Sequence, residues 1–198
     1  MKERPINLRA DEVRSIKDGS KTQILSVFKY AEHPAVIGYE PNGTHGWWKG
    51  VAKSEAVIQQ YISTSPLTIK CPFGIVGDRL WVRETFAIYG DKEYHTIHYR
   101  ANHPQHEGQK GMGYKPSTNM PRWASRILLE ITNIRVERLQ DISEEDATAE
   151  GMVADDDYCA EQYYSIFWNK KHGWKEKGWN ANPWVWVIEF KVIQGGES

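Results

Sequence analysis

The sequence predicts an α+β fold: a small mixed β-barrel of about six strands, with short helices packed around it and a loop-rich insertion. Three observations point there. β-prone segments outnumber helical ones, and several alternate apolar with polar residues. The helical segments are short and carry their own start and stop residues. Two stretches, 31–65 and 101–118, are rich in Gly, Pro, His and Asn and follow neither period. The 198 residues suit a single domain, 1–198, with those two stretches as insertions.

In chain order, Ile6 to Leu8 is a short first strand. The spacing of Val13 and Ile16 among charges predicts a helix over 11–18, ended by Gly19. Residues 23–30 are β-prone. The stretch from His33 to Ser65 is irregular, with a short helix over 54–61 that Ser54 caps. It reads as an insertion or lid, because Trp47-Trp48 are costly to leave in water. Turns at 72–74 and 77–78 lead into a strand over 79–88. A further strand covers 94–100, followed by a surface loop over 103–118. The long strand-like run 125–139 is expected to bend near Thr132-Asn133. Ser143 caps a helix that Gly151 ends, with Asp146 completing a variant capping box. A third helix is expected over 155–169, its acidic start suiting the helix dipole. A strand over 184–192, interrupted by Glu189, closes the chain.

Composition narrows the function. Lys+Arg number 25 and Asp+Glu 26, a balance that argues against non-specific duplex binding but leaves room for a local phosphate or nucleobase site. No apolar run approaches a membrane span, and no apolar stretch follows Met1 to Pro5, so the expectation is a cytoplasmic protein without membrane contact. Cys71 and Cys159 are then expected to be reduced thiols. Nine tryptophans are many for this length; each can fill core or stack on a base.

Several constellations could carry chemistry. Lys21, in Gly19-Ser20-Lys21-Thr22, sits at a helix-to-strand corner, where a fixed ammonium can bind phosphate or move a proton. Complementing the helix dipole is the alternative role. Ser20 before Lys21, and Ser15 where a second glycine belongs, rule out a P-loop. Glu150 stands at a helix C-terminus, where the dipole raises a carboxylate's pKa and suits it to donate a proton. Arg79, Arg83, Arg122 and Arg126 flank Trp81 and Trp123, a pattern that clamps phosphates and stacks bases. The same arginines could instead pair with Glu84 or Glu130 across strands. His95 and His98 point to opposite faces of a strand, so neither they nor His103 and His106 are expected to hold a metal. No cofactor is implied.

Six blocks together resemble the ASCH-domain proteins carried by phages and prophages. They are Met1-Lys2-Glu3-Arg4-Pro5-Ile6, Gly19-x-Lys21-Thr22-Gln23, 77–85 (GDRLWVRET), 120–126 (MPRWASR), 139–147 (LQDISEEDA) and 182–190 (NPWVWVIEF). The resemblance implies a PUA-like barrel and a role with RNA or modified nucleobases. It is similar, more distantly, to the small bacterial N4-acetylcytidine amidohydrolases. Those use a lysine, a threonine three residues on as nucleophile, and a glutamate on a later helix. Lys21 and Glu150 match the first and last, but Ile24 stands at the nucleophile position and offers no oxygen. Thr22 and Ser26 would share the face of Ile24 on a regular strand. The expectation is therefore a protein that binds RNA or a modified nucleoside in a barrel-side pocket. Lys21, Thr22, Arg79, Arg83, Trp123 and Glu150 are its ligand-binding residues, with Lys21 and Glu150 also the catalytic pair if it hydrolyses. Deacylation of an N4-acetylcytidine-type nucleoside is the alternative activity. A non-catalytic partner in phage development, using Trp47-Trp48 as its contact patch, is the third reading.

Overall fold

The computed structural model describes residues 1–27, 35–39, 46–50, 67–69, 71–90, 95–106 and 113–194. Among the described residues, ten strands and three helices follow in order: β1 Glu3–Asn7, α1 Ala10–Lys17, β2 Gln23–Val27, β3 Ala35–Tyr39, β4 Gly46–Gly50, β5 Leu67–Ile69, β6 Arg79–Arg83, β7 Phe86–Gly90, β8 His95–Tyr99, β9 Leu128–Arg138, α2 Glu144–Ala149, α3 Ala160–His172 and β10 Trp184–Gln194. The fold is α+β. Its centre is a five-stranded sheet in the order β1-β6-β9-β10-β2, in which β1 pairs parallel with β6 and the other ladders are antiparallel. β3-β4-β5 form a separate antiparallel meander and β7-β8 a hairpin.

The closed barrel does not form. β1 and β2 are the two edges of the sheet, and among the described residues no ladder joins them. Helix α1 occupies the link between them. Its Val13 and Ile16 are buried in one cluster with Ile6, Ile24, Leu80, Val82, Leu129 and Ile188, so apolar packing covers that side of the sheet. The opposite side of β2 and β10 is covered by α2 and α3, through Leu25, Val185, Val187, Ala147, Tyr164 and Trp168. β10 serves both layers because its alternate residues face opposite ways.

Local rules account for much of this. Asp146 N donates to Ser143 Oγ at 3.1 Å, the expected cap of α2. Gly151 takes φ +91° just after α2 ends, a conformation L side chains rarely adopt. The expected bend in β9 is a register shift opposite Glu189 and Phe190.

Two elements differ from expectation. The strand over 79–88 is two strands, broken at Glu84-Thr85. There Glu84 turns inward to a bidentate pair with Arg126, at 2.8 and 3.0 Å, and Thr85 O accepts from Arg100 N. The third helix starts at Ala160, not near 155. The Asp155 carboxylate accepts from Asp157 N and Tyr158 N, which makes a turn of the acidic stretch. Glu144, from α2, then takes Ala160 N and Glu161 N. Besides its own Glu161, the start of α3 therefore has an anion from another helix.

The expected helix over 54–61 and the side chains of Trp47-Trp48 lie outside the described residues. Within 101–118, the described backbone forms 3-10 turns at Pro104–His106 and Ser117–Asn119. No helix among the described residues is long and apolar enough to cross a membrane.

Candidate functional site

Lys21 and Glu150 are brought together from 129 residues apart. Gly19, at φ +83°, ends α1, and Lys21 N then donates to Ser15 O at 2.9 Å. Lys21 and Glu150 form an isolated antiparallel bridge, and Thr22 N donates to Ala149 O at 2.8 Å. This backbone clasp aims both side chains inward. Lys21 Nζ donates to Glu150 Oε2, and to Glu150 O at 3.2 Å. Glu150 Oε1 accepts from Leu25 N at 2.5 Å. The two side chains are 0% and 2% exposed.

A second ion pair lies close by. Glu12 is buried and accepts from Lys171 Nζ at 2.7 Å and from Arg9 N at 3.0 Å. Burial opposes the Glu12 charge, but Lys171 and Lys21 outweigh it and hold the carboxyl below its ordinary range. Burial raises the Glu150 carboxyl, and Lys21 opposes this only in part. The raised value expected from the helix dipole is thus present, with burial as its chief cause. Tyr164, fully buried beside these carboxylates, has its phenol pushed well up by burial and then by Glu150. Glu12 and Lys171 were not anticipated from sequence. Glu12 looks like an ordinary first-turn acid, and nothing local links it to a lysine 159 residues away.

The other predicted residues lie elsewhere. Thr22 is exposed and does not join Lys21, because it precedes β2 and its backbone is tied to Ala149 and Phe190. Ile24 is buried and pairs with Ile188. Arg79 and Arg83 are on β6, separated from β2 by β9 and β10. Three strand spacings put them roughly 14 Å from β2 across the sheet. The predicted set is therefore split, not one pocket. A shallow cleft of about 560 Å³, lined by Arg14, Lys17, Asp18, Ala101 and Asn102, contains neither Lys21 nor Glu150.

On β6, Arg79, Trp81 and Arg83 share the face opposite the buried Leu80 and Val82. The Arg83 guanidinium lies 4.6 Å from the Trp81 ring centroid, and that of Arg122 lies 5.8 Å from it. Trp123, beside Arg122 in the 3-10 turn Arg122–Ala124, is 60% exposed. The carboxylates that could have neutralised Arg79 and Arg83 are engaged by others. Glu84 is held by Arg126, and Glu130 by Lys191 at 2.7 Å. Arg122 is paired with Glu3 at 2.9 Å. Among the described residues neither Arg79 nor Arg83 is in a salt bridge, and the Nε of each is buried without a hydrogen-bond acceptor.

Among the histidines, His98 stacks on His103 at 5.7 Å and meets Tyr89 edge-on at 4.9 Å. Among the described residues no three His, Cys, Asp or Glu side chains gather as a metal site would require. Cys71 and Cys159 are unpaired, and burial pushes the Cys71 thiol up to about 11.

No family model matches the sequence, and no curated protein matches it. Two solved structures are similar in shape. One is a protein of family-model DUF984 from Enterococcus faecalis, with 9% identity over 95% of this chain and 73% of that one, at a TM-score of 0.40. The other is an ASCH domain from Lactobacillus crispatus, with 15% identity over 98% of this chain and 80% of that one, also at 0.40. At that TM-score neither likeness assigns a fold family or a function.

Proposed function

We propose that this chain is an ASCH-type, PUA-like protein that binds single-stranded RNA along the β6 face that carries Arg79 and Arg83. Arg79 and Arg83 meet the phosphates, and Trp123 stacks on a base. The observation that carries this reading is the pairing pattern: Glu84 and Glu130 are taken by Arg126 and Lys191, and among the described residues Arg79 and Arg83 have no carboxylate in a salt bridge. Trp81 holds Arg83 in place, which lowers the entropy lost when a phosphate or a base binds it. One aromatic beside a few oriented arginines suits a splayed strand, whose bases are free to stack. The chain's near-neutral charge fits a small, local contact of this kind.

Deacylation of N4-acetylcytidine gains little support from the geometry. Lys21 and Glu150 are engaged with each other and with the Leu25 amide, and Ile24 is core. The pair fits a structural clasp between β2 and the end of α2.

Titration of a labelled single-stranded RNA, followed by anisotropy at low salt, tests the reading. Trp123→Ala is expected to weaken binding by about 5- to 150-fold, the worth of one stacked base. Arg83→Ala is expected to reduce the slope of log K against log salt by about 0.7, the loss of one phosphate contact on a single strand. Binding that is unchanged in both variants, or no binding by the wild-type protein, would overturn it. Release of cytidine from N4-acetylcytidine, lost in Lys21→Ala, would restore the enzymatic reading.

A further inference from the structure

We infer that the loop 173–178, beyond the C-terminal end of α3, is a second contact for the same RNA strand; this rests on the reading above. The segment from Lys170 to Trp179 reads KKHGWKEKGW, with two tryptophans and four lysines against one glutamate. Trp174 is 75% exposed, whereas Trp168, six residues earlier, is fully buried. A single exposed apolar side chain is ordinary on a protein surface. What distinguishes Trp174 is the frame that holds it out.

Gly173, at φ +84°, ends the helix, with its N–H on Asn169 O at 2.8 Å. Buried Asn169 uses its Oδ1 to accept from Trp179 N at 2.8 Å, and Trp168 Nε1 donates to Lys177 O at 2.7 Å. Gly178 N donates to Lys175 O at 2.8 Å. A Cβ on Gly178 would lie 2.8 Å from Gly173 O and 2.9 Å from Trp174 Cα, so the two ends of the loop are in backbone contact. Core side chains thus tie the loop down on both sides, and it presents Trp174 at its tip. A ring held this way stacks on a base with little further loss of freedom.

The surrounding charge selects a polyanion. Lys171 is turned inward to Glu12. Burial, then Lys171 and Lys177, lower His172 to about 4, so it is neutral at physiological pH and adds no charge. Lys170, Lys175 and Lys177 remain exposed, and among the described residues none is in a salt bridge. Lys170 complements the α3 dipole, but Lys175 and Lys177 lie beyond the helix, where the dipole does not explain them. Cations with an exposed, fixed aromatic between them are the elements a single strand uses: phosphates on the ammonium groups and a base on the ring.

The test compares the full-length protein with Trp174→Ala, Trp174→Phe and Lys175→Ala/Lys177→Ala. RNAs range from about 6 to about 30 nucleotides, chosen to bracket the site sizes of single-strand binders. On the longest RNA, Trp174→Ala is expected to lose about 5- to 150-fold in affinity and Trp174→Phe to retain most of it. The double lysine variant is expected to lower the salt slope by about 1.4, two single-strand phosphate contacts. The shortest RNAs, which reach the β6 face alone, are expected to bind all variants alike. Circular dichroism and thermal melts confirm that the exposed-site variants fold. If long-RNA affinity and slope do not change in these variants while Arg83→Ala still weakens binding, the loop inference fails and the β6 reading stands. If the wild-type protein binds no RNA of any length, both fail. Loss of binding to anionic phospholipid vesicles in Trp174→Ala, with RNA binding intact, would make the loop a membrane contact instead.

Discussion

Replacing Lys21 with methionine tests whether the buried pair is a structural clasp or an open catalytic site. The Glu150 side chain is 2% exposed, and without Lys21 its carboxylate keeps the Leu25 amide as donor. Removing one partner of a buried ion pair costs about 3–5 kcal/mol, because the other charge stays in low dielectric. The cost depends on pH, in a direction set by Glu150. Burial already raises its carboxyl above the ordinary range against the pull of Lys21, and loss of Lys21 raises it further. A group whose folded pKa is raised contributes stability fully below its unfolded pKa, about 4.3 for Glu. That contribution is lost as pH rises through the folded value. The Lys21→Met defect is therefore small near about pH 4 and grows by up to about 1.4 kcal/mol per pH unit before levelling off.

Urea unfolding at about pH 5 and about pH 8 measures this. With a slope near 2 kcal/mol/M, a loss of about 4 kcal/mol moves the midpoint by about 2 M. The double variant Lys21→Met/Glu150→Leu is expected to recover part of the loss, since it removes both buried charges but leaves the Leu25 amide without its acceptor. A Lys21→Met protein within about 1 kcal/mol of wild type at both pH values would refute the reasoning. Glu150 would then be hydrated, as an accessible catalytic pocket requires.

Two further predictions concern the frame around the sites. Asp78 accepts from Lys2 N at 2.7 Å, Arg4 Nη1 at 2.7 Å and Ile75 N at 3.4 Å, which anchors β1 to the turn before β6. Burial opposes its charge, but these hydrogen bonds prevail and hold the carboxyl below its usual range. Its contribution is therefore present above about pH 4, the unfolded value, and lost as pH falls through the folded one. Asp78→Asn is expected to cost about 1.5–3 kcal/mol near neutral pH in urea unfolding, with the gap narrowing as the solution is acidified. At Gly151 (φ +91°), an added Cβ would lie 3.1 Å from Ser15 Cβ, so Gly151→Ala strains the chain at the clasp. A cost of about 1–2 kcal/mol is expected. That lowers the melting temperature by about 2–8 °C, at about 2–4 °C per kcal/mol for a chain of this size.

Helices and turns that obey local chemistry were legible in the sequence. Ser143 and Gly151 bound α2 because a side-chain cap and a left-handed residue act within a few positions of the chain. The bend in β9 was legible as well. The start of α3 was not, because Glu144 supplies its anion from another helix and Asp155 makes a local turn. The break after Arg83 was hidden too, since it depends on Glu84 meeting Arg126, 42 residues away. Closure of the sheet was not legible, because strand count alone does not say whether two edges meet or a helix packs between them.

The candidate sites divide along the same line. The sequence by itself placed Lys21 at a helix-to-strand corner and Glu150 at a helix end, and set arginines beside Trp81 and Trp123. It left open which arginines carboxylates would neutralise. The tertiary structure decided that: Arg126 and Lys191 take Glu84 and Glu130, and among the described residues Arg79 and Arg83 are in no salt bridge. It also sealed Lys21 and Glu150 against each other and left Thr22 in solvent. The physical reason is range. Capping, turns and strand parity act over a few residues, whereas burial and ion pairing depend on which distant segments the core brings into contact.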